Sequence, residues 1–151
     1  MSRRIIAIVL TIIGALALAS CSFADAEKDA MDQTAVATTI EQTGGVVSAE
    51  VGEFSAGTPN SYGARVQITV DRAGLDDLGG VLVDAARAVA ADPGRASFFD
   101  FEVTAPDEAE PDELVVLTLS RYRDRIPFAE GSYVGSTLTL TADELAQVAA
   151  G

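Results

Sequence analysis

The chain has 151 residues with 10 Lys or Arg, 23 Asp or Glu, no His and one Cys, and its formal net charge at pH 7 is −13. This length favours a single domain, and so acidic a chain lacks the Lys and Arg clusters with which proteins bind nucleic acids. Without His, and with its lone Cys near the N-terminus, it also lacks most nucleophile–base pairs and the thiolate or imidazole metal sites.

The first 20 residues have the parts of a secretory signal. Residues 1–4 are basic, residues 5–18 form an apolar run, and the small residues Ala19 and Ser20 follow. As a helix the apolar run would span about 21 Å, which is short for a hydrocarbon core roughly 30 Å thick. The segment Ser2-Arg3-Arg4-Ile5-Ile6 also resembles the start of a twin-arginine signal, so both export routes stay open.

The stretch Leu18-Ala19-Ser20-Cys21 resembles the lipobox of bacterial prolipoproteins. The resemblance implies that the signal is cut before Cys21 and that its thiol carries two acyl chains, and the new amine can be acylated as well. Each buried CH₂ contributes ~0.8 kcal/mol, so two or three chains make a stable membrane anchor. We therefore expect a lipid-anchored protein at the extracytoplasmic face of the cell membrane. The alternative is an ordinary signal peptide that leaves Cys21 as a free thiol.

Without the first 20 residues, eight basic side chains face 23 acidic ones, a balance of −15. Residues 21–43 are polar, and we interpret them as the acylated Cys followed by either a tether or a weak helix near residues 26–42. A flexible coil of 22 residues would reach about 26 Å, from ~5–6 Å × √n. A single α+β domain is expected over residues 44–151.

Periodicity predicts a β-β-α-β-β order for this domain, an antiparallel sheet of four to five strands with one or two helices packed on one face. Strands over 46–54 and 64–71 form a hairpin around the loop 56–61, and the second strand alternates strictly between apolar and polar residues. Helical spacing predicts a helix over 75–91, in which Gly79 and Gly80 indicate close packing on the sheet.

Three further strands are predicted over 98–104, 114–122 and 132–140. The strand over 114–122 begins with apolar residues on both faces, so we expect it near the centre of the sheet. A final helix follows, because Thr141 and Glu144 have the spacing of a capping box.

Five acids crowd the loop between the third and fourth predicted strands: Asp107, Glu108, Glu110, Asp112 and Glu113. Their oxygens would suit Ca²⁺ or another hard cation. However, Pro106 and Pro111 flank the acids, and the spacing matches no calcium-loop pattern. We therefore interpret the segment as a solvated hairpin loop and predict no metal site.

Arg121, Arg123 and Arg125 are the candidate ligand-binding residues, and they alternate with Tyr122 and Asp124. In an extended chain the three guanidiniums share a face that could bind a phosphate, a carboxylate or an acidic wall polymer. The alternation of the predicted strand does not suit such a site, because it would place Arg121 on the inward, apolar face. Pairing with the molecule's own acids is the alternative.

The remaining polar candidates are weaker. Asp100 and Glu102 share a strand face and could be the two carboxylates of a glycosidase, but a chain with 23 acids contains such pairs by chance. Tyr62, Tyr122 and Tyr133 are expected to be half-buried strand residues, or else to line a cleft.

The sequence thus favours a non-catalytic binding or accessory module of the cell envelope, with no cofactor. Its expected partners are the membrane, through Cys21, and an envelope protein or acidic wall polymer. The alternatives are a solute- or divalent-cation-binding lipoprotein and a small hydrolase that uses paired carboxylates.

Overall fold

The computed structural model describes residues 29–128 and 131–151, so the predicted signal peptide and Cys21 lie outside the described residues. The described chain forms one six-stranded sheet, four helices and a 3₁₀ segment. In chain order these elements are α1 (Gln33–Glu41), β1 (Val46–Ser55), β2 (Tyr62–Val70), α2 (Arg72–Asp76), α3 (Leu78–Ala91), β3 (Phe98–Pro106), β4 (Leu114–Val116), the 3₁₀ segment (Leu119–Arg125), β5 (Ser132–Val134), β6 (Thr137–Thr141) and α4 (Ala142–Ala150).

The strands are ordered β1-β2-β3-β6-β5, and β4 pairs with the end of β3 that extends past β6. The predicted α+β class is confirmed, but the sheet has six strands and β2 runs parallel to β3. The helices between β2 and β3 return the chain to the end of the sheet at which β2 begins. Two parallel neighbouring strands require a crossover of this kind.

The core lies between one face of the sheet and the helices. Strand β3 alternates strictly and β2 does so from Ala64 onward, so every second side chain there enters the core. From the helix side, Ile40 of α1, Leu82 of α3 and Leu145 of α4 are at most 2% exposed. Among the described residues the buried residues of this core are all apolar, although the side chain of Glu53, which pairs with Arg95, is also only 5% exposed.

Helix α1 occupies part of the stretch for which the sequence left a tether and a helix open. Asp32 caps it, since the Asp32 side chain accepts a hydrogen bond from the Ala35 N–H, and Val36 and Ile40 are buried. The Asp32 N–H itself donates to Asp92 Oδ2 at 2.8 Å, and Met31 is only 4% exposed. The folded domain therefore begins no later than Met31.

The hairpin of β1 and β2 has the predicted position, with one local difference. Ala49 is buried, but Val47, which a regular strand would place on the same face, is 62% exposed. The pairing register shifts between Val46 and Ser48, so a bulge turns Val47 outward.

The predicted strand over 114–122 is wrong beyond Val116. Strand β4 is only three residues long, and its Leu114 and Val116 are 60% and 58% exposed rather than central. The chain then leaves the sheet and buries Leu117 and Leu119 as it enters the 3₁₀ segment. The predicted strand over 132–140 is a hairpin, β5 and β6, that turns at Gly135 with φ +60°.

The predicted helix over 75–91 is likewise two helices. Asp71 caps the short α2, and the chain breaks at Asp77 before α3 begins. The capping box of α4 is confirmed, with Thr141 and Glu144 hydrogen-bonded reciprocally. None of the helices in the described ranges is long and apolar enough to span a bilayer.

Candidate functional site

The three candidate arginines do not form one strip. They lie in the 3₁₀ segment, whose three residues per turn separate positions that an extended chain would align. Arg125 donates from Nη2 to the carbonyl oxygens of Leu75 and Asp76, at 2.8 and 2.7 Å. It thereby satisfies carbonyls at the end of α2, which gives its side chain a structural role.

Arg123 faces a different neighbour. Its guanidinium carbon lies 5.5 Å from the centre of the Tyr133 ring, within range of a cation–π contact. Burial raises the pKa of Tyr133 above its ordinary value, and the positive charge of Arg123 partly offsets that rise. All three tyrosines are half-buried as expected, although Tyr122 lies in the 3₁₀ segment rather than in a strand.

Arg121 lies at a polar cleft of about 290 Å³, where the two charged segments singled out in the sequence meet. Asp107 and Glu108 line one side of this cleft, and Arg121 and Tyr122 line the other. No ion pair within 4.0 Å joins these acids to the three arginines in the described chain. Among the described residues, Arg121, Arg123 and Arg125 therefore form no ion pair with the molecule's own acids.

In the segment 107–113, which we call the acidic loop, the Asp107 carboxylate binds the backbone of its own loop. Asp107 Oδ1 accepts hydrogen bonds from the N–H groups of Ala109 and Glu110, at 2.7 and 3.2 Å. Within residues 29–128 and 131–151, no group of three or more acids is arranged to hold a metal ion.

Asp100 and Glu102 lie on the face of the sheet opposite the core, which we call the open face. Each carboxylate is hydrogen-bonded by a threonine of β6: Thr139 Oγ1 lies 2.6 Å from Asp100 Oδ1, and Thr137 Oγ1 lies 3.2 Å from Glu102 Oε1. At the end of the open face, the rings of Phe54 and Phe98 pack edge to face over Gly63. A Cβ at Gly63 would collide with both rings, so a larger residue there would force the two rings to move.

An apolar cleft of about 390 Å³ lies between α3 and α4. Phe128 and Leu140 form its buried base, and Val83 and Val148 form its helical walls. Its polar rim is formed by Arg87, Glu144 and Gln147. This size and lining are typical of small-molecule sites, which combine apolar walls with a few polar groups.

Glu144 is already engaged at this rim, because its Oε2 accepts hydrogen bonds from Thr141 N and Thr141 Oγ1, at 2.7 and 2.8 Å. Among the described residues Arg87 forms an ion pair with Asp84 alone, at 3.4 Å, and its side chain is 47% exposed. An anionic group of a bound molecule would therefore meet Arg87. Sequence reasoning missed this cleft, because its apolar members look like ordinary core residues.

No model of a known protein family matches the chain, and comparisons with curated proteins and with solved structures find no significant similarity.

Proposed function

We propose that this protein is a lipid-anchored lipoprotein, held at the extracytoplasmic face of the cell membrane through Cys21, and that its domain is a non-catalytic binding module. The lipobox-like Leu18-Ala19-Ser20-Cys21 carries this proposal, because it ends an apolar run that follows a basic start. The start of the described domain supports the proposal, because it places the folded part of the chain close to Cys21. Met31 is already buried, and at full extension ten residues reach about 36 Å from Cys21.

Replacement of Cys21 tests the anchor. In a bacterial host that processes lipoproteins, the wild-type chain should enter the membrane fraction with an acylated N-terminal Cys in mass spectra. Cys21→Ser should appear in the soluble envelope or medium, or remain as an uncut precursor, because its hydroxyl does not form the thioether. Ser20→Ala is the control, since it keeps a small residue before Cys21 and should behave as wild type. A Cys21→Ser protein that is cut normally and stays membrane-bound would contradict the anchor.

The solute-binding alternative is favoured by the apolar cleft between α3 and α4. Its apolar base and its exposed Arg87 suit a small amphipathic anion, with the apolar part against Phe128 and Leu140. This candidate function shares the anchor and specifies what the module binds.

Anilinonaphthalene sulfonate, a fluorescent amphipathic anion, is a suitable probe of the cleft. The detergent-solubilised protein should bind it saturably with one site per chain. Arg87→Gln should weaken binding about fivefold, since it removes one exposed charge contact. Arg72→Gln is the matched control, because Arg72 is also exposed, does not line the cleft and carries the same charge. Equal affinities in both variants, or non-saturable binding, would contradict a site at Arg87.

A further inference from the structure

Strand β1 is an edge of the sheet, because it pairs with β2 on one side only. The pairing fixes which of its backbone groups face outward. Ala49 donates its N–H to Glu41 Oε1 of α1 at 3.1 Å, so the Ala49 N–H points away from β2. Since residues of an antiparallel pair alternate, Val51, Glu53 and Ser55 also direct their N–H and C=O groups outward. We call the outward groups of these four residues the β1 edge.

Beyond Ala49, the β1 edge has no backbone partner in the part of the chain that the structure describes. The opposite edge of the sheet, β5, is only three residues long. Strand β1 therefore offers the longer free row of donors and acceptors, and such a row is where an extended peptide can add a strand.

The surroundings of the β1 edge are concave and acidic at Ala49 and Val51, whereas farther along the strand Glu53 is paired with Arg95 at 3.8 Å. A groove of about 430 Å³ runs between α1 and β1, with Glu41 on its helical side and Glu50 on its strand side. No Lys or Arg of the described chain lines this groove. Gly52 carries no side chain between Glu50 and Phe54, and nothing lies within 4 Å of where its Cβ would be, so the approach to the edge is open.

We propose that the β1 edge binds an extended, Lys- or Arg-containing segment of another envelope protein by strand addition. Backbone hydrogen bonds to Val51, Glu53 and Ser55 would supply the pairing, and Glu41 and Glu50 would select basic side chains. A second copy of this chain fits less well, because two acidic edges would lie side by side. The proposal rests on the domain being a binding module, but it does not depend on the lipid anchor or on the apolar cleft.

The test uses the mature protein in detergent and a fluorescein-labelled peptide, acetyl-(Lys-Val)₄-amide, with binding followed by fluorescence anisotropy. The wild-type protein should bind it saturably, more weakly at higher NaCl concentration. Acetyl-(Glu-Val)₄-amide and a fully N-methylated (Lys-Val)₄ should not bind, because the first has the wrong charge and the second cannot donate backbone hydrogen bonds.

Two variants locate the binding. Val51→Pro removes an outward N–H without touching the ladder to β2, and should weaken binding about tenfold. The double change Glu41→Gln with Glu50→Gln should weaken it about fivefold, while the amide oxygen of the substituted side chain in α1 can still accept the hydrogen bond from the Ala49 N–H. Glu110→Gln with Glu113→Gln is the matched control, because it removes two charges in the acidic loop and should leave binding unchanged.

Thermal melting verifies that Val51→Pro folds, and the Glu41 and Glu50 double variant decides the question if it does not. Equal binding by that double variant and its control would overturn the proposal. Absence of saturable binding by wild type, or a dimer in sedimentation that Val51→Pro converts to a monomer, would also overturn it. Loss of the anchor would not change these results, so the two proposals fail separately.

Discussion

Gly79 sets the distance between α3 and the end of the 3₁₀ segment. A Cβ at this position would collide with the carbonyl oxygen of Arg125, a backbone atom. That backbone is held in place because the Arg125 side chain donates to two carbonyls at the end of α2. The glycine pair was expected to allow contact with the sheet, and at Gly79 the close neighbour is instead the 3₁₀ segment.

Alanine at Gly79 and at Gly80 should therefore have opposite effects. Gly79→Ala should lower the free energy of unfolding by about 2 kcal/mol, because the clash is with backbone. Gly80→Ala should raise it by up to ~1 kcal/mol, the helix propensity gained. The atoms nearest to its Cβ would be those of the Asp77 carboxylate, which makes no capping hydrogen bond and can rotate away. Urea unfolding of both variants measures the difference, and equal losses of stability would contradict this account of Gly79.

Whole elements were predictable where the local pattern alone determines the structure. Strand β2 alternates from Ala64 to Val70, and the Thr141–Glu144 capping box begins α4 as expected. The strand predicted over 114–122 was wrong in its second half. Leu117 and Leu119 have the alternating pattern of a strand, but they are buried where the chain leaves the sheet, and periodicity does not distinguish the two cases. Periodicity also does not reveal that β3 lies parallel to β2, since that depends on which strands become neighbours.

The candidate sites depend on packing between distant segments, so the sequence revealed less of them. The apolar cleft joins α3, α4 and Phe128, and each of its apolar residues has the pattern of a core residue. The β1 edge depends on the strand order and on the hydrogen bond from Ala49 to Glu41. The sequence did identify Arg121 and the acidic loop, and it could not show that they line one cleft.

At the scale of the whole molecule, charge repulsion is weakly offset by ion pairs. The chain has a net charge of −13, and its described part contains two ion pairs, Arg87–Asp84 and Arg95–Glu53, at 3.4 and 3.8 Å. Both side chains of Arg87–Asp84 are about half exposed, so this pair contributes little to stability. In Arg95–Glu53 the Glu53 side chain is only 5% exposed, but a single pair at 3.8 Å offsets little of so large a charge. Repulsion among the remaining acids should therefore lower the stability of the fold.

Salt should accordingly stabilise this protein. Its melting temperature should rise by about 3 °C between 0.01 and 1 M NaCl, as the Debye length falls from ~30 to ~3 Å. Scanning calorimetry measures the shift, and choline chloride should have the same effect because screening is not ion-specific. Addition of about 1 mM CaCl₂ at constant ionic strength should not shift the melting temperature further. A saturable calcium shift that Asp107→Asn abolishes would instead support the divalent-cation alternative.

The burial of Met31 has a consequence for how the protein meets its partners. For a chain anchored as proposed, the fold takes up residues that would otherwise lengthen the connection to the lipid, which leaves nine residues between Cys21 and Met31. So short a linker confines the domain to a thin layer next to the bilayer. Encounters would then be frequent with molecules in the same layer and rare with molecules deeper in the envelope, because tethering raises effective concentration only within its reach.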